Sequence, residues 1–182
     1  MAGDLMRKGL MVKILVSALL LTVNVGLSRA AETSLSLSVA AGDSSSLAYD
    51  LSLQQIYDPW IANEYITLRP LLGLTAFMWH NNNDSLGGGM ASVGLRMSMG
   101  SSAVFRPYLA ATFGPALLSQ TSFDDIDLGS ALQFRSQGIL GISFGPGLRH
   151  SIQASFSHYS NAGLSDENSG YNTWGLSYGF TF

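Results

Sequence analysis

The strongest constraint on this chain is a two-residue alternation that returns in segment after segment, with large apolar side chains in one row and small, polar or charged ones in the other. Side chains alternate faces along a strand, so a period of two argues for β-strands and against helices. In 33–41, Leu35, Leu37 and Val39 oppose serines; in 47–55, Leu47, Tyr49, Leu51 and Leu53 oppose Ala48, Asp50, Ser52 and Gln54. In 88–99, Ala91, Val93, Leu95, Met97 and Met99 oppose Ser92, Gly94, Arg96 and Ser98. Further strands are predicted over 64–79, 104–118, 131–144, 149–160 and 171–182, separated by turn formers such as Gly42-Asp43-Ser44-Ser45 and Gly145-Pro146-Gly147. Arg69-Pro70 and Gly114-Pro115 interrupt two of these segments, and a bend or bulge is expected there because proline cannot donate to a ladder.

The charges decide which way such a sheet closes. In a water-soluble barrel the large apolar rows point inward and the charges outward. Here Asp50, Arg96, Arg135 and Arg149 fall in the small rows, while the large rows run unbroken. The expected fold is therefore all-β: an eight-stranded antiparallel transmembrane β-barrel with a polar interior, each strand of ~9–11 residues crossing the bilayer obliquely. Closure leaves no edge strand to aggregate. The final strand, with Trp174, Tyr178, Phe180 and Phe182, resembles the C-terminal aromatic pattern of bacterial outer-membrane barrels. With short turns and both ends on the periplasmic side, the turn 162–170 faces outward, and His158 and Ser160 sit near the outer leaflet.

Composition fits this picture. Only 12% of the 182 residues are charged, and mean hydropathy is +0.24. The one continuous apolar run, 14–27, follows Arg7, Lys8 and Lys13 and precedes Ser28-Arg29-Ala30, which predicts a signal peptide over 1–30 and an outer-membrane barrel over 31–182. Met6 and Met11 are alternative starts. Beyond Ala30 the chain has no lysine, and its five arginines form no basic run, so nucleic acid is not an expected partner. Without cysteine there are no disulfides, thiolate metal sites or thiol nucleophiles. His80, His150 and the acids Asp124, Asp125 and Asp127 lack the spacing of a metal site.

One cluster breaks the apolar rows. In 149–160 the row of Ile152, Ala154 and Phe156 continues into His158 and Ser160; in 171–182 the row of Trp174, Leu176 and Tyr178 begins with Asn172. A histidine, a hydroxyl and an amide on the apolar face are costly unless they bond to one another. Histidine titrates in the range that lets it deprotonate a serine, and an amide can fix its tautomer. Asn161, next to Ser160, can aim a donor at a developing oxyanion. The same residues also suit a polar fringe where a strand leaves the membrane.

The run His158-Tyr159-Ser160-Asn161-Ala162, followed by a turn, Gly170 and a final aromatic strand, resembles the lipid A 3-O-deacylase (PagL) family. The resemblance is close over the last two strands and architectural elsewhere. It implies an outer-membrane serine esterase that removes an acyl chain, at the 3-O position, from lipid A. Ser160 would be the nucleophile, His158 the base, Asn172 the group orienting His158 and Asn161 the oxyanion donor, with no cofactor and no metal. Where that family's pattern places a glutamate, this chain has Asn172, which is similar to the serine, histidine and asparagine triad of outer-membrane phospholipase A. Asp166 and Glu167 are substitute acids. The alternatives are a phospholipase, for whose twelve-stranded barrel the chain is short, and a structural or adhesive barrel without chemistry.

Overall fold

The computed structural model describes residues 32–182, so the predicted signal peptide lies outside the described residues. Eight long strands form the wall: β1 (Glu32–Gly42), β2 (Ser46–Ile56), β3 (Ile66–His80), β4 (Ser85–Met99), β5 (Phe105–Leu118), β6 (Leu132–Phe144), β7 (His150–Ser160) and β8 (Tyr171–Thr181). Each pairs antiparallel with its neighbours in sequence. β1 also pairs with β8, from Ser34 opposite Thr181 to Gly42 opposite Thr173, which closes the barrel. Short pieces at Ile61–Ala62, Ser122–Phe123 and Ile126–Asp127 lie in the connections.

The two predicted irregularities resolve differently, and proline explains both. β3 runs through Pro70 without a break in its pairing to β4. The Pro70 carbonyl accepts a hydrogen bond from Tyr57 N at 3.0 Å, so its nitrogen, on the same edge, faces the chain leaving β2 and the β4 ladder loses nothing. At Pro115 the nitrogen faces β4. Pairing there skips from Met90 opposite Ala116 to Val93 opposite Phe113, with the register unchanged across the gap.

The rows face as the charge argument requires. Leu37, Leu51, Leu72, Val93, Phe113, Leu140, Ile152 and Leu176 are exposed on the lipid side. Ser38, Asp50, Thr75, Ser92, Thr112, Arg135 and Ser157 are buried inside. Arg135 is 3% exposed; its guanidinium donates to Asp50 at 2.8 Å and to Ser157 at 3.0 Å. Lower in the barrel Arg96 donates to Ser143 at 2.6 Å and lies 3.7 Å over the Tyr108 ring. Arg149 departs from the expectation: it sits exposed in the turn before β7, not in the interior.

The interior is filled, and its end near the 161–170 turn is aromatic where the alternation alone gives only a polar lumen. Phe77, Trp79, Tyr159 and Tyr171 converge there, with Trp79 stacked on Tyr171 at 3.8 Å between ring centres. Phe123 and Leu128, from the long connection 119–131, insert among them fully buried. This plug holds the connection down over the barrel mouth and fixes the wall beside the start of β8 and the end of β7.

Candidate active site

β7 and β8 bring His158 and Asn172 directly opposite each other in the ladder. Both belong to the lipid-facing row, His158 exposed and Asn172 half-buried, and His158 Nδ1 lies 2.8 Å from Asn172 Oδ1. An amide oxygen can only accept, so Nδ1 carries the hydrogen and Nε2 is left as the basic nitrogen. Asp166 and Glu167 are exposed in the 161–170 turn, and neither side chain bonds His158. Of the three candidates for orienting the imidazole, Asn172 is the one that reaches it.

Ser160 follows His158 by two residues on the same face, about 7 Å further along the strand by ordinary rise. It ends β7 opposite Phe134 and is half-buried. Gly170, two residues before Asn172 and with φ +71°, lies close beside the imidazole. A Cβ there would stand 3.1 Å from His158 Cε1.

Asn161 is not brought to this face. Its side chain is 0% exposed and turned inward, donating to Leu128 O at 3.0 Å and Glu167 O at 2.6 Å, while its Oδ1 accepts from Gly163 N at 2.9 Å. Both amide hydrogens are thus used inside the protein, which corrects the expected oxyanion role. Asn161 instead ties the 119–131 connection to the turn that follows Ser160.

Two residues of the site were missed in the sequence. Ser136 on β6 is exposed on the lipid side directly opposite His158, on the flank away from Asn172. Its signal was present: it interrupts the outward row Leu132, Phe134, Leu140 and Ile142. Asp43, in the β1–β2 turn, accepts from both the backbone N and the Nδ2 of Asn172, at 2.7 and 3.0 Å. No local pattern marks it.

The closed barrel and this outward group define a class: small transmembrane β-barrels with a serine, histidine and amide cluster set into the lipid-facing wall. The family follows from the whole chain. The model of the lipid A 3-O-deacylase (PagL) family matches residues 30–181, and the chain belongs to that family. The lipid A deacylase PagL of Bordetella bronchiseptica is 38% identical over 77 residues, and that of Pseudomonas aeruginosa 37% over 73. These alignments take in 42% and 40% of this chain and span 42% and 41% of the relatives' lengths. The crystal structure of the outer membrane enzyme PagL superposes with a TM-score of 0.74 at 26% identity, covering 81% of this chain and 98% of that one. The N-terminal β-barrel domain of Pseudomonas aeruginosa OprF, 17% identical with a TM-score of 0.50 over 85% of this chain and 99% of its own, shares the fold.

Proposed function

We propose that this protein is an outer-membrane esterase that hydrolyses an ester-linked acyl chain of lipid A, at the 3-O position, in the outer leaflet. Membership of the PagL family supports the substrate, and one observation carries the chemistry: the hydrogen bond between His158 and Asn172 on the lipid-facing wall, with Ser160 on the same face. Ser160 Oγ attacks the ester carbonyl while His158 Nε2 takes its proton. The tetrahedral intermediate collapses, the same proton goes to the leaving sugar oxygen, and the acyl chain stays on Ser160. Water, deprotonated by His158, then releases the fatty acid and restores the serine. Asn172 keeps the proton on Nδ1 throughout. The substrate reaches the site sideways within the leaflet, so the wall needs no deep cavity, and the apolar ring formed by Phe156 and Trp174, 4.2 Å apart just below the site, receives its acyl chains.

Mass spectrometry of lipid A from cells carrying the wild-type protein, Ser160→Ala or Ser136→Ala tests this. Loss of one acyl chain with the wild type and with Ser136→Ala, but not with Ser160→Ala, is the expected result. Activity that survives Ser160→Ala and disappears with Ser136→Ala would move the nucleophile to β6. Unchanged lipid A in all three, with free fatty acid from phospholipid, would favour the phospholipase reading. No hydrolysis of either lipid would leave a structural barrel.

A further inference from the structure

Asp43 stands in a part of the chain that has no sequence link to the site. The β1–β2 connection is a tight turn through Ser44 and Ser45, at φ 54° and 51°, closed by Ser46 N donating to Asp43 O at 3.3 Å. β1 pairs with β8, so the turn lands against the start of β8, and Asp43 N donates to Asn172 O at 3.1 Å. The backbone contact holds the carboxylate beside the Asn172 side chain.

The Asn172 amide therefore has a different partner at each end. Nδ2 donates to Asp43 Oδ2 at 3.0 Å, and Oδ1 accepts from His158 Nδ1 at 2.8 Å. Rotated by half a turn, the amide would set its oxygen against a carboxylate and its NH2 against the ring N–H, losing both bonds. The carboxylate decides between these two orientations. It also contributes what an amide lacks. An amide that donates to an anion is polarised, so its oxygen becomes a stronger acceptor for the neighbouring N–H. When His158 takes the proton of Ser160, the imidazolium gains a negative group one residue away.

We infer that Asp43 is a positioning residue of the active site, acting through Asn172 to fix the tautomer of His158 and to stabilise its protonated form. The inference rests on the reading of Ser160, His158 and Asn172 as the catalytic group. No proton passes to Asp43. Its carboxylate touches neither His158 nor the reacting ester.

An exchange of amide and carboxylate tests it, using full-length protein purified in detergent, with barrel folding checked by heat-modifiable migration and with lipid A as substrate. Asp43→Asn keeps size and turn geometry but removes the charge. It should fold, leave KM unchanged and lower kcat by about tenfold or more, as changes to groups that orient a ligating or catalytic imidazole commonly do. Asn172→Asp alone sets two carboxylates about 3 Å apart, which cannot both stay ionised at that distance, and kcat should fall again. Combining Asp43→Asn with Asn172→Asp gives each hydrogen bond a donor and an acceptor once more, with the charge now next to His158, so kcat should return to the wild-type level or above it. A turn residue with a purely structural role predicts no such recovery. Wild-type kcat in Asp43→Asn, or a double variant no better than the worse single one, overturns the role of Asp43 while an inactive Ser160→Ala leaves the catalytic reading standing. Full activity in Ser160→Ala overturns both.

Discussion

Gly170 is the residue that limits the space around His158. Its positive φ strains any side chain, and a methyl group would press on the imidazole at Cε1. Gly170→Ala should cost about 1–2 kcal/mol of stability through the backbone. Its larger effect falls on activity, because the ring has to shift against the 2.8 Å bond that sets its tautomer. Comparing lipid A deacylation with urea unfolding of the same variant separates the two; activity tracking stability alone would show that the ring had room to move. Asn161 behaves in the opposite way. Asn161→Ala takes one donor from the Leu128 carbonyl, which keeps Gln133 Nε2 at 3.0 Å, and removes the donor to the Glu167 carbonyl, at a cost of about 1–3 kcal/mol, and should expose residues 119–131 to proteolysis while the deacylation rate of the intact fraction stays the same. A lowered rate in that fraction would restore Asn161 to the chemistry.

At the scale of elements, the 119–131 connection depends on a carboxylate in the neighbouring β3–β4 turn. Asp84 accepts from Asp124 N at 3.1 Å, from Gln120 Nε2 at 2.9 Å and from Ser85 N at 2.7 Å. The backbone bond from Asp124 is the largest influence and holds the Asp84 carboxyl below its ordinary value near 3.8, against a smaller opposing effect of burial. A depressed folded-state pKa stabilises the contact above that ordinary value and loses its effect as pH falls below it. Protection of the Asp124 amide against exchange, relative to its intrinsic rate, should therefore be high at pH 6 and fall below about pH 4. Asp84→Asn should show low protection at both; equal protection in wild type and variant at pH 6 would show that the plug alone holds the connection.

For the whole molecule, stability rests on an inverted arrangement of charge and grease, so substitutions of opposite kind should both do harm. Leu140 is 58% exposed on the wall, and Leu140→Arg should cost about 2–4 kcal/mol near the bilayer midplane. Arg135→Ser leaves Asp50 buried without its cation, and breaking such a pair costs about 3–5 kcal/mol. Urea titration of tryptophan fluorescence in lipid vesicles measures both. A tolerated Leu140→Arg together with a tolerated Arg135→Ser would contradict the assignment of faces.

Local chemistry determined more of this protein than its length suggests. Alternation settled strands, faces and the inverted barrel, because a strand sends every second side chain to the same side wherever the chain goes. For the same reason His158, Ser160 and Asn172 could be placed on one face before any pairing was known, and the same parity puts Asn161 in step with the inward Ser157 and Tyr159, against the oxyanion role expected of it from its place beside Ser160. Proline was less legible, since its effect depends on which neighbour the missing N–H faces: Pro70 is harmless and Pro115 opens the ladder. The aromatic plug and the Asp43 contact were decided by tertiary structure alone. Both need strand pairings that join distant parts of the chain, and Asp43 meets Asn172, 129 residues away, only because the first strand closes the barrel against the last.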